Sequence, residues 1–244
     1  MQQLSLYIIT GASKGLGKAL VDNILNQDNH HQVIGISRSP LESSRNFKHY
    51  AIDLSDTKKL IALLGEIFPQ ADYQRVVLIN NAGWIGEIAH TGYLDPDSIR
   101  KIHEVNVIAP AILMNAFMKT YDSFRGEKLI INISSGAATK VMDGWSGYSA
   151  SKAALNQMTK VAQHESDMRN RGFKLFALSP GIIDTPMQET IRSVSAENFS
   201  NISRFQSFKE NNELSTPKDT AEKVGYLIRN HASFDEVLQD VRQF

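Results

Sequence analysis

The chain contains no cysteine, which excludes disulfides, thiolate nucleophiles and cysteine-ligated metals. It has no excess of either charge. Its 26 basic residues are balanced by 26 acidic ones, so no net field draws it to nucleic acid or an anionic membrane. The basic residues are scattered, without a run or an aromatic-interleaved patch. No apolar stretch approaches the roughly 20 residues that cross a bilayer, and the opening MQQLSLYIITGASKG has no basic leader region or cleavage site. The seven histidines form no H-x-x-x-H pair and no cluster with carboxylates, so no catalytic metal is expected. Repeats, low-complexity tracts and Gly/Ser linkers are also missing. The expectation is one soluble, cytoplasmic domain over residues 1–244, without nucleic-acid or membrane partners.

What is present is an alternation of short apolar runs with longer helical stretches. Strands are predicted at 4–10, 32–37, 49–54, 75–80, 128–134 and 173–179, with a weaker one in EVLQDV near the end. Several are apolar on both faces, as in a parallel sheet covered on both sides. Helices are predicted at 15–27, 56–68, 97–124, 148–171 and 217–230. The last has Thr216 as N-cap, Pro217 at the first helical position and Asp219 in the first turn. Strand–helix alternation throughout implies a doubly wound α/β sheet. Residues 186–215 break the rhythm. They are too many for an ordinary connection and carry Phe199, Phe205 and Phe208, so they read either as a substrate lid or as a surface helical hairpin.

TGASKGLG (10–17) follows the first strand and opens the first helix. In that place the glycines allow a tight turn and let backbone N–H groups reach a pyrophosphate at the helix N-terminus. The spacing of Gly11, Gly15 and Gly17 is G-x3-G-x-G. The second strand ends in GISRSP, with Ser37 and Arg38 where NAD binders usually carry a carboxylate for the ribose hydroxyl. Arginine grips a 2′-phosphate bidentately, and Lys14 in the glycine loop adds a second cation. Both are also ordinary for a solvated surface; with the acid missing, the pattern favours NADP(H).

Tyr148 and Lys152, in GWSGYSASK, lie one turn apart on one helical face. A fixed ammonium would lower the phenol's pKa and make it a usable proton handler. Chance also produces such pairs, so the pair alone decides nothing.

Together the motifs resemble the short-chain dehydrogenases/reductases along essentially the whole chain: TGASKGLG, DL at 53–54, NNAG at 80–83, Asn106, NISS at 132–135, YSASK at 148–152 and PGIIDT at 180–185. Within that family GWSGY, PGIIDTPMQ and the long RFQSFKENNEL segment resemble the sepiapterin reductase and benzil reductase branch. The resemblance implies a Rossmann fold with a seven-stranded parallel sheet. It implies Tyr148 as general acid and Lys152 as its stabiliser and the holder of the nicotinamide ribose. Ser135 would donate to the substrate carbonyl, with Ser134 as its alternative. Asn106 would open the long helix and hold a relay water, with Pro110 in that helix's early turns. Asp53 and Leu54 would meet the adenine, and Asn81, Ala82 and Gly83 would pack on the adenosine side. Pro180, Gly181, Ile183 and Thr185 would face the nicotinamide, and Ser13, Leu16 and the three glycines would hold the phosphates.

Trp84, Trp145, Met142, Met187 and the lid phenylalanines are candidates for the substrate pocket, each equally open to a packing role. Asp240 is the nearest match to the acid that anchors the pterin in sepiapterin reductases. The expected activity is NADPH-dependent reduction of a ketone or vicinal dicarbonyl. A 3-oxoacyl thioester or hydroxysteroid reductase is the enzymatic alternative, and an NADP(H)-sensing binding protein the non-enzymatic one. The resemblance further implies a homodimer or homotetramer through the two long helices.

Overall fold

The computed structural model describes residues 4–28 and 30–244. Seven strands form one parallel sheet: β1 (Ser5–Thr10), β2 (Gln32–Ser37), β3 (Phe47–Ala51), β4 (Arg75–Asn80), β5 (Glu127–Ile133), β6 (Phe173–Ser179) and β7 (Leu238–Asp240). Their order is β3-β2-β1-β4-β5-β6-β7. This is the Rossmann fold expected from the alternation. Successive side chains of β1 go to opposite faces. Leu6 and Ile8 join one core, and Tyr7 and Ile9 the other.

Nine α-helices cover the sheet and its C-terminal rim among the described residues: α1 (Gly15–Gln27), α2 (Thr57–Ala62), α3 (Leu64–Ile67), α4 (Pro96–His103), α5 (Ala109–Thr120), α6 (Ser146–Met168), α7 (Pro186–Arg192), α8 (Ile202–Glu210) and α9 (Pro217–Arg229). Leu20 and Ile24 of α1 meet Val224 and Leu227 of α9 on one face. Leu60 of α2, Ile67 of α3 and Phe117 of α5 fill the other. The α9 start reads as expected: Thr216 Oγ1 accepts the Asp219 N–H at 3.0 Å, and Pro217 follows the cap.

Most elements fall within a few residues of the sequence reading, and three departures bear on the site. Strand β3 starts two residues early and stops at Ala51, because its pairing ends where β2 ends, Ser37 opposite Ala51. Asp53 and Leu54 therefore lie beyond the strand, on the rim. The helix expected at 56–68 breaks at Leu63 into α2 and α3. The helix expected at 97–124 is α4 and α5 joined by a π-helical turn over Glu104–Ile108. Asn106 thus sits inside a continuous helical path instead of opening it. Pro110 has no N–H for the carbonyl four residues back, which belongs to Asn106, and the wider π turn accommodates that gap.

Residues 186–215 fold as α7, a turn and α8. They bury Ile191, Phe199 and Phe205 against Trp145 in a small third core. No helix among the described residues is long and apolar enough to cross a membrane.

Candidate active site

The strand order reverses between β1 and β4, where a doubly wound sheet opens a crevice at the strand C-termini. A cavity of about 460 Å³ lies there. It runs from the glycine loop to the tyrosine–lysine pair.

At one end, Gly11 has φ +72° and gives its N–H to the Ile36 carbonyl at 2.7 Å. A side chain at position 17 would stand 2.1 Å from the Gly11 carbonyl oxygen, so helix and loop approach as closely as backbone allows. Lys14 precedes α1 with no side-chain cap, which leaves first-turn N–H groups for an anion. Ser13, Gly15 and Leu16 line the cavity here. The NNAG segment is fastened to the same loop: Asn81 Nδ2 donates to the Thr10 carbonyl at 2.9 Å, and the Ala82 N–H to Thr10 Oγ1 at 2.9 Å. Asn81, Ala82 and Gly83 line the cavity, as do Ser37, Arg38, Asp53, Leu54, Pro180, Ile183 and Thr185. Gly17 and Gly181 shape the backbone without lining it. This set fits a pyrophosphate-bridged dinucleotide.

At the other end Tyr148 is in the first turn of α6, only 7% exposed, and Lys152 is 3% exposed. Lys152 Nζ donates to the Ile133 carbonyl at 2.8 Å and stands 5.8 Å from the centre of the Tyr148 ring. That bond uses one of its three N–H donors. Burial lowers the Lys152 pKa to about 8, which keeps it about ten-to-one charged at pH 7. Burial raises the Tyr148 pKa, and the facing Ser135 hydroxyl offsets this only in part. The sequence argument had the ammonium lowering the phenol. Here desolvation outweighs any such pull and holds the phenol neutral, the form a proton donor needs.

Ser135 sits after β5 and receives the Ala137 N–H on Oγ at 3.1 Å, which leaves its own proton to donate. Ser134 also lines the cavity, but its hydroxyl is committed to Asn156 Oδ1, to which it donates at 2.5 Å. Asn106 is fully buried. Its amide is committed: Oδ1 accepts the Trp84 N–H at 2.9 Å, and Nδ2 reaches the Trp84 carbonyl at 2.8 Å and Ser151 Oγ at 3.0 Å. Ser151 in turn donates to the Tyr148 carbonyl at 2.7 Å. Asn106 and Ser151 therefore tie the loop after β4 to the turn that carries the phenol. Ser151 is not singled out by the sequence; its position three residues after Tyr148, on the same face, is the signal that could have found it.

Trp84 and Met187 line the cavity. Trp145 does not: it packs edge-on to Tyr148 and stacks on Phe199 of the 186–215 segment. Phe199 and Phe205 face that ring and not the cavity. Lys101, missed from sequence, lines the same cavity near Asp53 and lies 5.5 Å over the Trp84 ring. Asp240 holds the Arg242 guanidinium with both oxygens, Oδ1 at 2.8 Å from Nε, and that partner depresses its pKa.

Residues 5–196 match the family model described as short chain dehydrogenase. The chain belongs to the short-chain dehydrogenase family. Relatives of this short-chain dehydrogenase include benzil reductase ((S)-benzoin forming) of Bacillus subtilis (strain 168), 35% identical over 99% of this chain and 100% of the relative. Sepiapterin reductase of Bos taurus is 27% identical over 93% and 90%. Among solved structures, a short-chain dehydrogenase/reductase from Saccharomyces cerevisiae superposes with TM-score 0.83 at 25% identity, covering 98% of this chain and 96% of that one. 4-Hydroxyisoleucine dehydrogenase, complexed with NADH, gives 0.79 at 26%, covering 97% and 96%. The short-chain dehydrogenase described here is an oxidoreductase of a family that uses a nicotinamide cofactor.

Proposed function

We propose that the chain is an NADPH-dependent carbonyl reductase acting on a ketone or vicinal dicarbonyl of the benzil type. The observation that carries this reading is the phenol of Tyr148: buried, neutral, facing a serine hydroxyl with a free proton, in a cavity continuous with a dinucleotide cradle. When bound, NADPH supplies the hydride. The residues do the rest. Ser135 donates a hydrogen bond to the substrate oxygen, and Tyr148 transfers its proton to that oxygen as charge develops there. Lys152, still carrying N–H donors beyond its bond to Ile133, would hold the nicotinamide ribose hydroxyls, and its charge favours the phenolate left on Tyr148. Asn106 and Ser151 tie the loop after β4 to the turn that carries Tyr148.

NADPH over NADH is supported by Arg38 and Lys14 on the cavity wall and by the lack of a carboxylate at the end of β2. Benzil over pterin is supported by Asp240, whose charge is already neutralised by Arg242, and by the apolar wall of Trp84, Ile85 and Met187. We read 186–215 as the substrate lid of this single domain. Val161 of α6, exposed at mid-helix, supports assembly into a homodimer or homotetramer through α5 and α6.

The test is a panel of diketones, pterins, steroids and acyl thioesters followed by loss of NADPH absorbance. Benzil-type diketones should turn over fastest. Preferential turnover of thioesters or steroids would displace this reading.

A further inference from the structure

Ser37 closes β2 and is buried. Its hydroxyl donates to the Ser39 carbonyl at 3.0 Å and lies 2.8 Å from Nε2 of His49, the middle residue of edge strand β3. The other ring nitrogen, Nδ1, accepts the Leu41 N–H at 3.3 Å. A backbone amide can only donate, so Nδ1 is the bare nitrogen and the ring proton is on Nε2. Donation therefore runs one way, from His49 Nε2–H to Ser37 Oγ and from Ser37 Oγ–H to the Ser39 carbonyl. The backbone N–H of His49 adds a third anchor, to Ser43 Oγ at 3.1 Å. Burial lowers the ring's pKa, which favours the neutral form this relay requires.

The segment so pinned carries Arg38. Ser37, Arg38 and Ser39 line the cavity on the side of Lys14. The one hydroxyl proton of Ser37 is spent on Ser39, so the donors left for a phosphate are Arg38, Ser39 and Lys14. An arginine whose backbone is fixed on both sides loses less entropy when it closes on an anion.

We propose that His49 is a specificity-determining positioning residue: acting through Ser37 and Leu41, it holds the 37–41 segment in the shape that recognises a 2′-phosphate. This rests on the NADPH reading above. It assigns Ser37 to positioning instead of direct phosphate contact.

Binding of NADPH and of NADH is measured separately by fluorescence titration on the full chain. His49→Phe keeps the ring's bulk and removes both side-chain hydrogen bonds. NADPH affinity should fall by about tenfold, the scale of one lost hydrogen bond, with NADH affinity unmoved. His49→Gln places an amide donor near the Nε2 position and should restore most of the loss. Ser37→Ala, which interrupts the same relay, should show the same split and serves if His49→Phe does not fold. Equal loss for both cofactors means a merely structural role and overturns the proposal, as does an unchanged NADPH preference. A wild type that binds NADH at least as tightly as NADPH overturns the cofactor reading itself, before any variant is compared.

Discussion

Trp145 stacks on Phe199 with ring centroids 5.1 Å apart and planes 13° from parallel, so the segment 186–215 is fastened to the turn just before Tyr148. A second fastening lies beside it. Asp143 accepts the Ser200 N–H at 2.7 Å and the Ser200 hydroxyl at 2.8 Å, with His90 Nε2 at 3.4 Å.

Asp143→Ala removes these bonds without touching the cavity lining. If 186–215 is the substrate lid, KM for the carbonyl should rise about five- to tenfold, as expected for the loss of one or two hydrogen bonds. Affinity for NADPH should stay within about twofold. Parallel changes in both, read from steady-state kinetics and cofactor titration, would remove the lid assignment.

Lys152 leads to a stability prediction with a definite sign. The folded chain releases its proton near pH 8, whereas an unfolded lysine holds it to about pH 10.4. Between those values the unfolded state binds more protons, so stability rises with pH, and below about 8 the burial cost is fully present. The shift corresponds to about 3 kcal/mol, and the lost bond to Ile133 offsets about 1 kcal/mol of it. Lys152→Met should therefore be more stable than wild type at pH 7 by about 2 kcal/mol. The gap should narrow toward pH 10. Cofactor-free thermal or denaturant unfolding across that range measures it, and a gap that widens with pH refutes the assignment of a buried, charged lysine.

Arg38→Asp puts a carboxylate where a 2′-phosphate would sit and a ribose hydroxyl would be welcomed. The ratio of kcat/KM with NADPH to that with NADH should drop by about a hundredfold, combining a lost ion pair with a new repulsion. An unchanged ratio takes Arg38 out of the cofactor site.

How much of this could be read from the chain varies by element. Strands 75–80 and 173–179 and helix 15–27 stand where the apolar runs place them, because both-face burial and the glycine punctuation leave little choice. The end of β3 was misjudged because the apolar alternation of HYAIDL continues past the point where β2 stops offering partners. Nothing in the helical period of 97–124 marks a π turn; Pro110 was the one local cue, and it reads equally well as an early-turn proline. Glycine loop, tyrosine and lysine were legible because their chemistry is set by short-range spacing. The Asp143–Ser200 and His49–Ser37 contacts join residues 57 and 12 apart, and only the folded sheet and the packing of segment 186–215 bring them together. Trp145 was ambiguous on its face, since an indole suits a pocket wall and a buried stack alike; Phe199 takes it for the stack.

The central claim, that Tyr148 gives its proton to a substrate carbonyl beside a bound nicotinamide, is tested most directly by benzil turnover in wild type and Tyr148→Phe. Product formation and NADPH consumption are followed together, and NADPH binding is measured on both proteins. Wild type should form alcohol in step with NADPH loss, and the variant should lose about a thousandfold in kcat while binding NADPH as before. Comparable turnover by the variant, or none by wild type toward benzil and the other carbonyl classes, would contradict it.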